Sequence, residues 1–316
     1  MLPHFPFGNQ FNDRIGTSLL KEADPLLVVD SHYLNEVGLK RQLLTELPNY
    51  YFQSLPSSET GQWDVLGLVL DQLARHYPDQ FLLKKAGLHW HWENRLLDET
   101  TSFTFDNTDT LPLPPLDWVG RQVQEDLLLL VGPGPSLVAG QLCFANAWCL
   151  DEKMGLPFWA IHAPITNIVE PMMRAAQKVM ERLPAGRPIW RLNWSIKATD
   201  QLDLTSRHTP TQHAQLAALL PHLTADTVGQ HLYVRIEYQT LTRLPRSQAI
   251  LFGLHTYQNR LDRELTERPD AAQNLLNVLQ TTPPALLDYK GITPFLPLLL
   301  AGLAAHIAYT QTRVSA

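Results

Sequence analysis

Residues 231–239 read HLYVRIEYQ, and the fold turns on their alternation. A period of two sets Leu232, Val234, Ile236 and Tyr238 on one side of an extended chain, against Tyr233, Arg235, Glu237 and Gln239 on the other. A strand with one apolar and one polar side belongs in a sheet whose faces differ. The same rhythm occurs upstream, where Trp190, Leu192, Trp194 and Ile196 alternate with Arg191, Asn193 and Ser195, and downstream, where Gly253, His255 and Tyr257 share one side. Apolar runs predict further strands at Asp126–Val131 and Leu137–Phe144, so strands are expected over 126–131, 137–144, 188–196, 231–239 and 249–257.

Helical spacing appears elsewhere. Trp63, Val65, Leu66, Val69, Leu70 and Leu73 predict a helix from Gly61 to His76. Met172, Met173, Ala176, Val179, Met180 and Leu183 predict another from Glu170 to Leu183, opened by Pro171 and closed by Pro184-Ala185-Gly186. Proline-rich connectors at 111–115, 132–135 and 282–284 punctuate these elements. Short connections without a βαβ rhythm predict an α+β fold, an antiparallel sheet with helices on one side. The apolar stretch Pro294–Tyr309 carries two prolines and His306 and is shorter than a membrane span needs, which predicts a buried C-terminal helix and no membrane contact.

Composition narrows the function. The 316 residues hold 25 Lys+Arg and 31 Asp+Glu, a formal net charge of −6, which speaks against nucleic-acid binding. With 45% hydrophobic residues the chain can bury a sizeable core. Cys143 and Cys149 are too few for a disulfide framework, and the first residues lack a signal-peptide pattern, so a cytoplasmic protein is expected. Gly132-Pro133-Gly134-Pro135 lacks both dinucleotide and phosphate-loop spacing and reads as a turn. There is no G-x-S-x-G, H-E-x-x-H or C-x-x-C pattern. His89 with His91, and His208 with His213, lack the carboxylate or thiolate partners of a metal site and read as surface or interface histidines.

The densest stretch runs from Cys143 to Glu170, CFANAWCLDEKMGLPFWAIHAPITNIVE. Within it, His162 follows an apolar run and precedes a proline. Such an imidazole is either a core residue with both nitrogens satisfied or an axial ligand to a large apolar cofactor. On the sheet strands, Arg191, Asn193, Arg235 and Glu237 would line one surface if their strands are neighbours, with His255 and Tyr257 supplied by the next. Arg235 and Glu237 also read as a simple ion pair of a half-solvated sheet.

Several of these segments occur together in one known family. Trp148, Glu152-Lys153-x-Gly155, Ile161-His162-Ala163-Pro164, Trp190-Arg191-x-Asn193-Trp194 and Arg235-x-Glu237-x-Gln239-Thr240-Leu241-x-Arg243-Leu244-Pro245-x-Ser247 resemble the haem-dependent oxidative N-demethylase family. Its catalytic subunit is similar to a PAS domain. The matches run in order from Asp30-Ser31-His32-Tyr33 to Tyr257. Tyr238 stands where the family's Glu-Arg-Gln pattern carries arginine.

The resemblance implies a PAS-like antiparallel sheet with flanking helices: a helical or irregular addition over 1–110, a haem-binding core over 111–262 and a helical addition over 263–316. It implies haem b, with His162 as the axial iron ligand. Arg191, Arg243 and Asn193 would be cofactor contacts, and Glu237, Arg235 and Tyr257 the catalytic group. The implied activity is a monooxygenase that uses O2 to demethylate a small amine or related nitrogen compound. Its electrons would come from a reductase partner carrying flavin and an iron–sulfur cluster. The alternative from the same fold is a haem-based sensor or gas-binding protein without turnover.

Overall fold

The computed structural model describes residues 1–314. Among the described residues, ten strands form two antiparallel sheets: β1 (Ser18–Leu19), β2 (Phe52–Ser54), β3 (Phe81–Ala86), β4 (His89–Asn94), β5 (Glu99–Thr104), β6 (Asp126–Val131), β7 (Ser136–Gln141), β8 (Ile189–Lys197), β9 (Tyr233–Arg243) and β10 (Ile250–Arg260). The larger has the order β1-β8-β9-β10-β6-β7-β2, and the smaller β3-β4-β5. With helices interspersed, this is the α+β fold that the alternating strands predicted. The five expected strands are present. β9 extends four residues past Gln239, to Arg243, because its register with β10 continues to Arg243↔Ile250.

Register assigns the faces. Arg191 pairs with Gln239, Asn193 with Glu237 and Ser195 with Arg235 between β8 and β9. Paired residues point to the same side, so these polar side chains share one face. Across the next pair, Glu237 stands opposite Thr256, whereas His255 stands opposite Tyr238 and Tyr257 opposite Ile236.

Both faces are covered, which corrects the expectation of helices on one side. The polar-row face also carries Leu128, Leu130, Leu241, Ile250, Phe252 and Leu254, and the long connection from β7 to β8 folds over them. Phe158, Val169, Met173 and Met180 pack on Leu130, Leu241 and Ile250, while Trp148, Met154 and Ile161 pack near Leu128 and Leu254. The helix Glu170–Arg182 in this connection ends where Arg243 donates to its last carbonyls, Met180 O and Leu183 O, at 2.7 and 2.6 Å.

The opposite face is apolar at its two ends, where two groups of helices bury it, and carries Tyr238, His255 and Tyr257 between them. The helix Glu59–His76 and the smaller sheet cover Leu127, Leu129 and Leu251. Helices Ala271–Thr281 and Leu296–Val314 cover Trp194, Ile196, Val234 and Ile236. The last helix corrects another expectation. Leu299 and Leu303 are buried, but Ala301, Ala304, Ala305, Ala308 and Tyr309 face outward, and the helix is long and apolar enough to cross a membrane by length and composition.

Within the smaller sheet, Trp90 and Trp92 point inward, leaving His89 and His91 on the outer side beside Thr104 and Ser102. Among the described residues, no group of three or more His, Cys, Asp or Glu side chains is arranged to hold a metal ion.

Candidate functional site

The neighbouring strands β8 and β9 assemble a row of hydrogen bonds from the polar side chains that alternate along them. Arg191 Nη1 donates to Gln239 Oε1 at 3.0 Å, Gln239 Nε2 to Glu237 Oε2 at 2.8 Å, and Asn193 Nδ2 to the same Glu237 oxygen at 3.1 Å. Two amide donors on one carboxylate oxygen hold Glu237 in one orientation. Arg191 is anchored at the other end by donating from Nε to Ile15 O at 3.0 Å. Among the described residues its Nη2 takes no protein partner, so one arm of the guanidinium fork remains for a carboxylate.

His162 lies on the connection that covers this face, close enough for the charge of Arg191 to act on its imidazole. Its Nδ1 lies 2.9 Å from Phe158 O, a carbonyl that can only accept. That contact selects the tautomer with the proton on Nδ1. Burial lowers the imidazole pKa; the Phe158 hydrogen bond opposes this, and the charges of Arg191 and Lys153 reinforce it, so the ring is neutral at neutral pH. A neutral imidazole oriented through Nδ1 is the donor that haem iron takes axially. Trp148, Met154, Ile161, Phe252 and Leu254 supply apolar surface on the same side of the sheet. The donor chemistry and surroundings therefore fit a haem.

Sequence reasoning missed Lys290 and Lys197. Lys290 follows the helix Pro284–Tyr289, and its ammonium donates to Trp194 O at 2.6 Å and Asn193 Oδ1 at 3.3 Å. Lys197, at the end of β8, donates to Lys290 O at 3.2 Å. Burial pushes both lysines down to about 8, with Glu237 opposing the shift. A lone lysine in a turn gives no periodic signal. Lys197 continues the alternation of Arg191, Asn193 and Ser195 and could have been found by extending that strand one step.

The structure separates the other expected site residues from this row. Arg235 shares the face but is fully buried, its Nη1 donating to Leu202 O at 3.1 Å and its Nη2 to Phe144 O at 2.5 Å. It ties two loops to the sheet, and it makes no hydrogen bond to Glu237. Arg243 also has a structural set of partners: besides the helix end, it donates to Gln248 O at 2.7 Å across the β9–β10 turn. The expectation that Tyr257 and His255 line the same surface is corrected by parity, since the β9–β10 register turns both to the opposite face. Tyr257 there lies 4.4 Å from the His255 ring and 5.7 Å from His4. Tyr238 is on that side too, stacked on His4 at 5.2 Å, so the Arg-to-Tyr departure does not touch the row beside His162.

Behind the sheet, His255 is a buried ionic centre. Its Nδ1 lies 3.0 Å from Glu125 Oε1 and its Nε2 3.8 Å from Asp30 Oδ2. Burial lowers its pKa, but Asp30, Glu125 and Glu36 outweigh burial and raise it to about 9. Asp30 is held well below the usual carboxylate range, chiefly by His255 and Gln124 acting against its own burial.

A comparison with protein families covers most of the chain. The family model described as haem-dependent oxidative N-demethylase, alpha subunit-like, matches residues 18–300, a span that contains His162, the polar row, Lys197 and Lys290.

Proposed function

The chain belongs to the haem-dependent oxidative N-demethylase, alpha subunit-like family, and from that premise we propose that it is a monooxygenase that removes an N-methyl group from a small nitrogen compound. The observation that carries this reading is the neutral His162, oriented by Phe158 on the connection that covers the sheet face bearing the polar row. In this reading residues 111–262 form a PAS-like cofactor core, 1–110 pack on it, and 263–316 add Lys290. The antiparallel sheet, with its long helical connection folded over one face, supports the PAS-like description.

His162 would hold the iron of haem b, and Arg191, through its remaining arm, would hold a propionate, with Asn193 fixing the row. Bound haem supplies the oxygen chemistry, with two electrons delivered by a separate reductase that carries flavin and an iron–sulfur cluster. The overall change balances as N-methyl amine + O2 + 2 electrons + 2 protons giving the demethylated amine, formaldehyde and water. The role of Glu237 is to present a fixed negative oxygen to a cationic nitrogen. Arg235 keeps the Phe144 and Leu202 loops closed over the edge of the site. Tyr257 has no part in the chemistry, because it lies on the other face.

The test is formaldehyde release from a panel of N-methyl compounds by haem-loaded protein with a reductase and O2. Substrate-dependent formaldehyde supports the proposal. Haem binding without formaldehyde from any compound in the panel would replace it by the gas-binding alternative.

A further inference from the structure

The outer side of the smaller sheet carries a pair of histidines that the proposed reaction does not use. His89 and His91 alternate with Trp90 and Trp92 along β4, so the two indoles enter the core and both imidazoles stand on one outer side. The register with β5 sets His89 opposite Thr104 and His91 opposite Ser102. Each histidine meets the hydroxyl of its own cross-strand partner through Nδ1, at 3.3 Å to Thr104 Oγ1 and 2.9 Å to Ser102 Oγ. Both rings are held in the same way, and among the described residues neither Nε2 has a hydrogen-bond partner. His208 differs, because its Nε2 is already taken by Asp203 at 2.9 Å. Sequence reasoning set the pair aside for want of a carboxylate or thiolate; the hydroxyls across the strand supply the orientation instead.

Two imidazoles oriented through Nδ1, with both Nε2 atoms on one side, form the donor pair of a metal chelate. At about 3.3 Å of rise per residue, side chains at i and i+2 of a strand stand about 6.6 Å apart. Two metal–nitrogen bonds of about 2 Å each and a convergence of the rings close that gap. The surface around them is a shallow concavity of about 430 Å³, lined also by Lys84, Ser102, Thr104 and Thr110, with room for waters to complete the coordination. The charged neighbours limit the choice of ion. Lys84 stands opposite His91 on β3 and opposes any cation, and Glu93 on the same side is held by Arg95 at 2.7 Å. Lys85 is turned inward, over the Trp90 ring, and is bound to Asp71. Two nitrogen ligands beside an ammonium disfavour calcium and magnesium, which need oxygen ligands, and favour the ion with the strongest bond to imidazole, copper(II).

We propose that His89 and His91 bind a copper(II) ion through their Nε2 atoms, with Ser102 and Thr104 holding the rings. Water fills the remaining positions, so the site is open and its ion exchangeable. Because only an unprotonated imidazole coordinates, acid releases the ion. The site lies on the smaller sheet and is independent of the haem reading.

The experiment titrates the purified full chain with copper(II), and separately with inorganic phosphate, by calorimetry, and records the electron paramagnetic resonance of the copper. Wild type is compared with His89→Asn, His91→Asn, their double variant, Ser102→Ala and Lys84→Gln, with melting temperatures checked for each. Wild type should bind one copper ion whose signal is split by two nitrogens. Each single histidine variant should lose more than about tenfold in affinity and show one coupled nitrogen. Ser102→Ala should weaken binding with both nitrogens kept, and Lys84→Gln should tighten it. Copper bound equally well by wild type and the double histidine variant would overturn the proposal, by placing the ion elsewhere. Phosphate that binds wild type in place of copper, and is lost from Lys84→Gln, would also overturn it, by making the concavity an anion site.

Discussion

Raising the pH from 6.5 to 9.5 should withdraw a defined part of the folding free energy through one residue, His255. The imidazole is 1% exposed and sits between Glu125 and Asp30, with Glu36 adding to the field. Burial opposes its charge, but the carboxylates win and raise the folded pKa to about 9 from the ordinary value of 6.5. A raised folded pKa means that the stabilisation is complete below 6.5 and is lost as pH rises through about 9. The difference of 9 − 6.5, at 1.36 kcal/mol for each pKa unit, is about 3 kcal/mol.

Lys197 and Lys290 work in the opposite direction. Their folded pKa values near 8 lie below the ordinary value of 10.5, so stability rises with pH between those limits. Comparison with His255→Gln removes this contribution, because the lysines are common to both proteins. Urea unfolding followed by tryptophan fluorescence at pH 6.5, 7.5, 8.5 and 9.5 gives the stability of each. The stability gap between wild type and variant should narrow by about 3 kcal/mol over that range. A gap that stays constant would refute a charged His255 in the folded protein.

Two substitutions test the residues whose charge is structural. Arg235→Met strands the carbonyls of Phe144 and Leu202 under the sheet edge and should cost about 3 kcal/mol, read as a lower urea midpoint. Arg243→Ala removes donors from Met180 O, Leu183 O and Gln248 O, so it should lower stability by about 2 kcal/mol while leaving the haem spectrum of the folded fraction unchanged. A changed Soret band in Arg243→Ala would return this arginine to the cofactor.

Local alternation was enough to find β8, β9 and β10, because each buries one apolar side and the period of two survives without knowledge of neighbours. It also grouped His255 with Tyr257 correctly. It could not say which face of the sheet that group joins, since a shift of one residue in register exchanges the faces. The β9–β10 pairing sets Tyr257 opposite Ile236 and so takes it away from Glu237. Arginine identity misled in a different way. Arg235 and Arg243 look functional in a strand, yet both meet carbonyls that loops and a helix end leave unpaired, and those partners are distant in sequence. Lys290 was invisible for the same reason: its importance comes from Asn193 and Trp194, about a hundred residues away. The C-terminal helix shows the limit of composition, since its alanines satisfy a buried or an outward face equally well.

The central claim is that His162 holds a haem against the sheet face that bears the polar row. The most direct measurement is the ultraviolet–visible spectrum of purified wild type and His162→Ala, as isolated and after reduction under carbon monoxide. The account predicts a wild-type Soret band that shifts on reduction and carbon monoxide binding, and a variant in which that band is lost or altered. A wild type that remains colourless and takes up no added haem, or a variant with an identical spectrum, would contradict it.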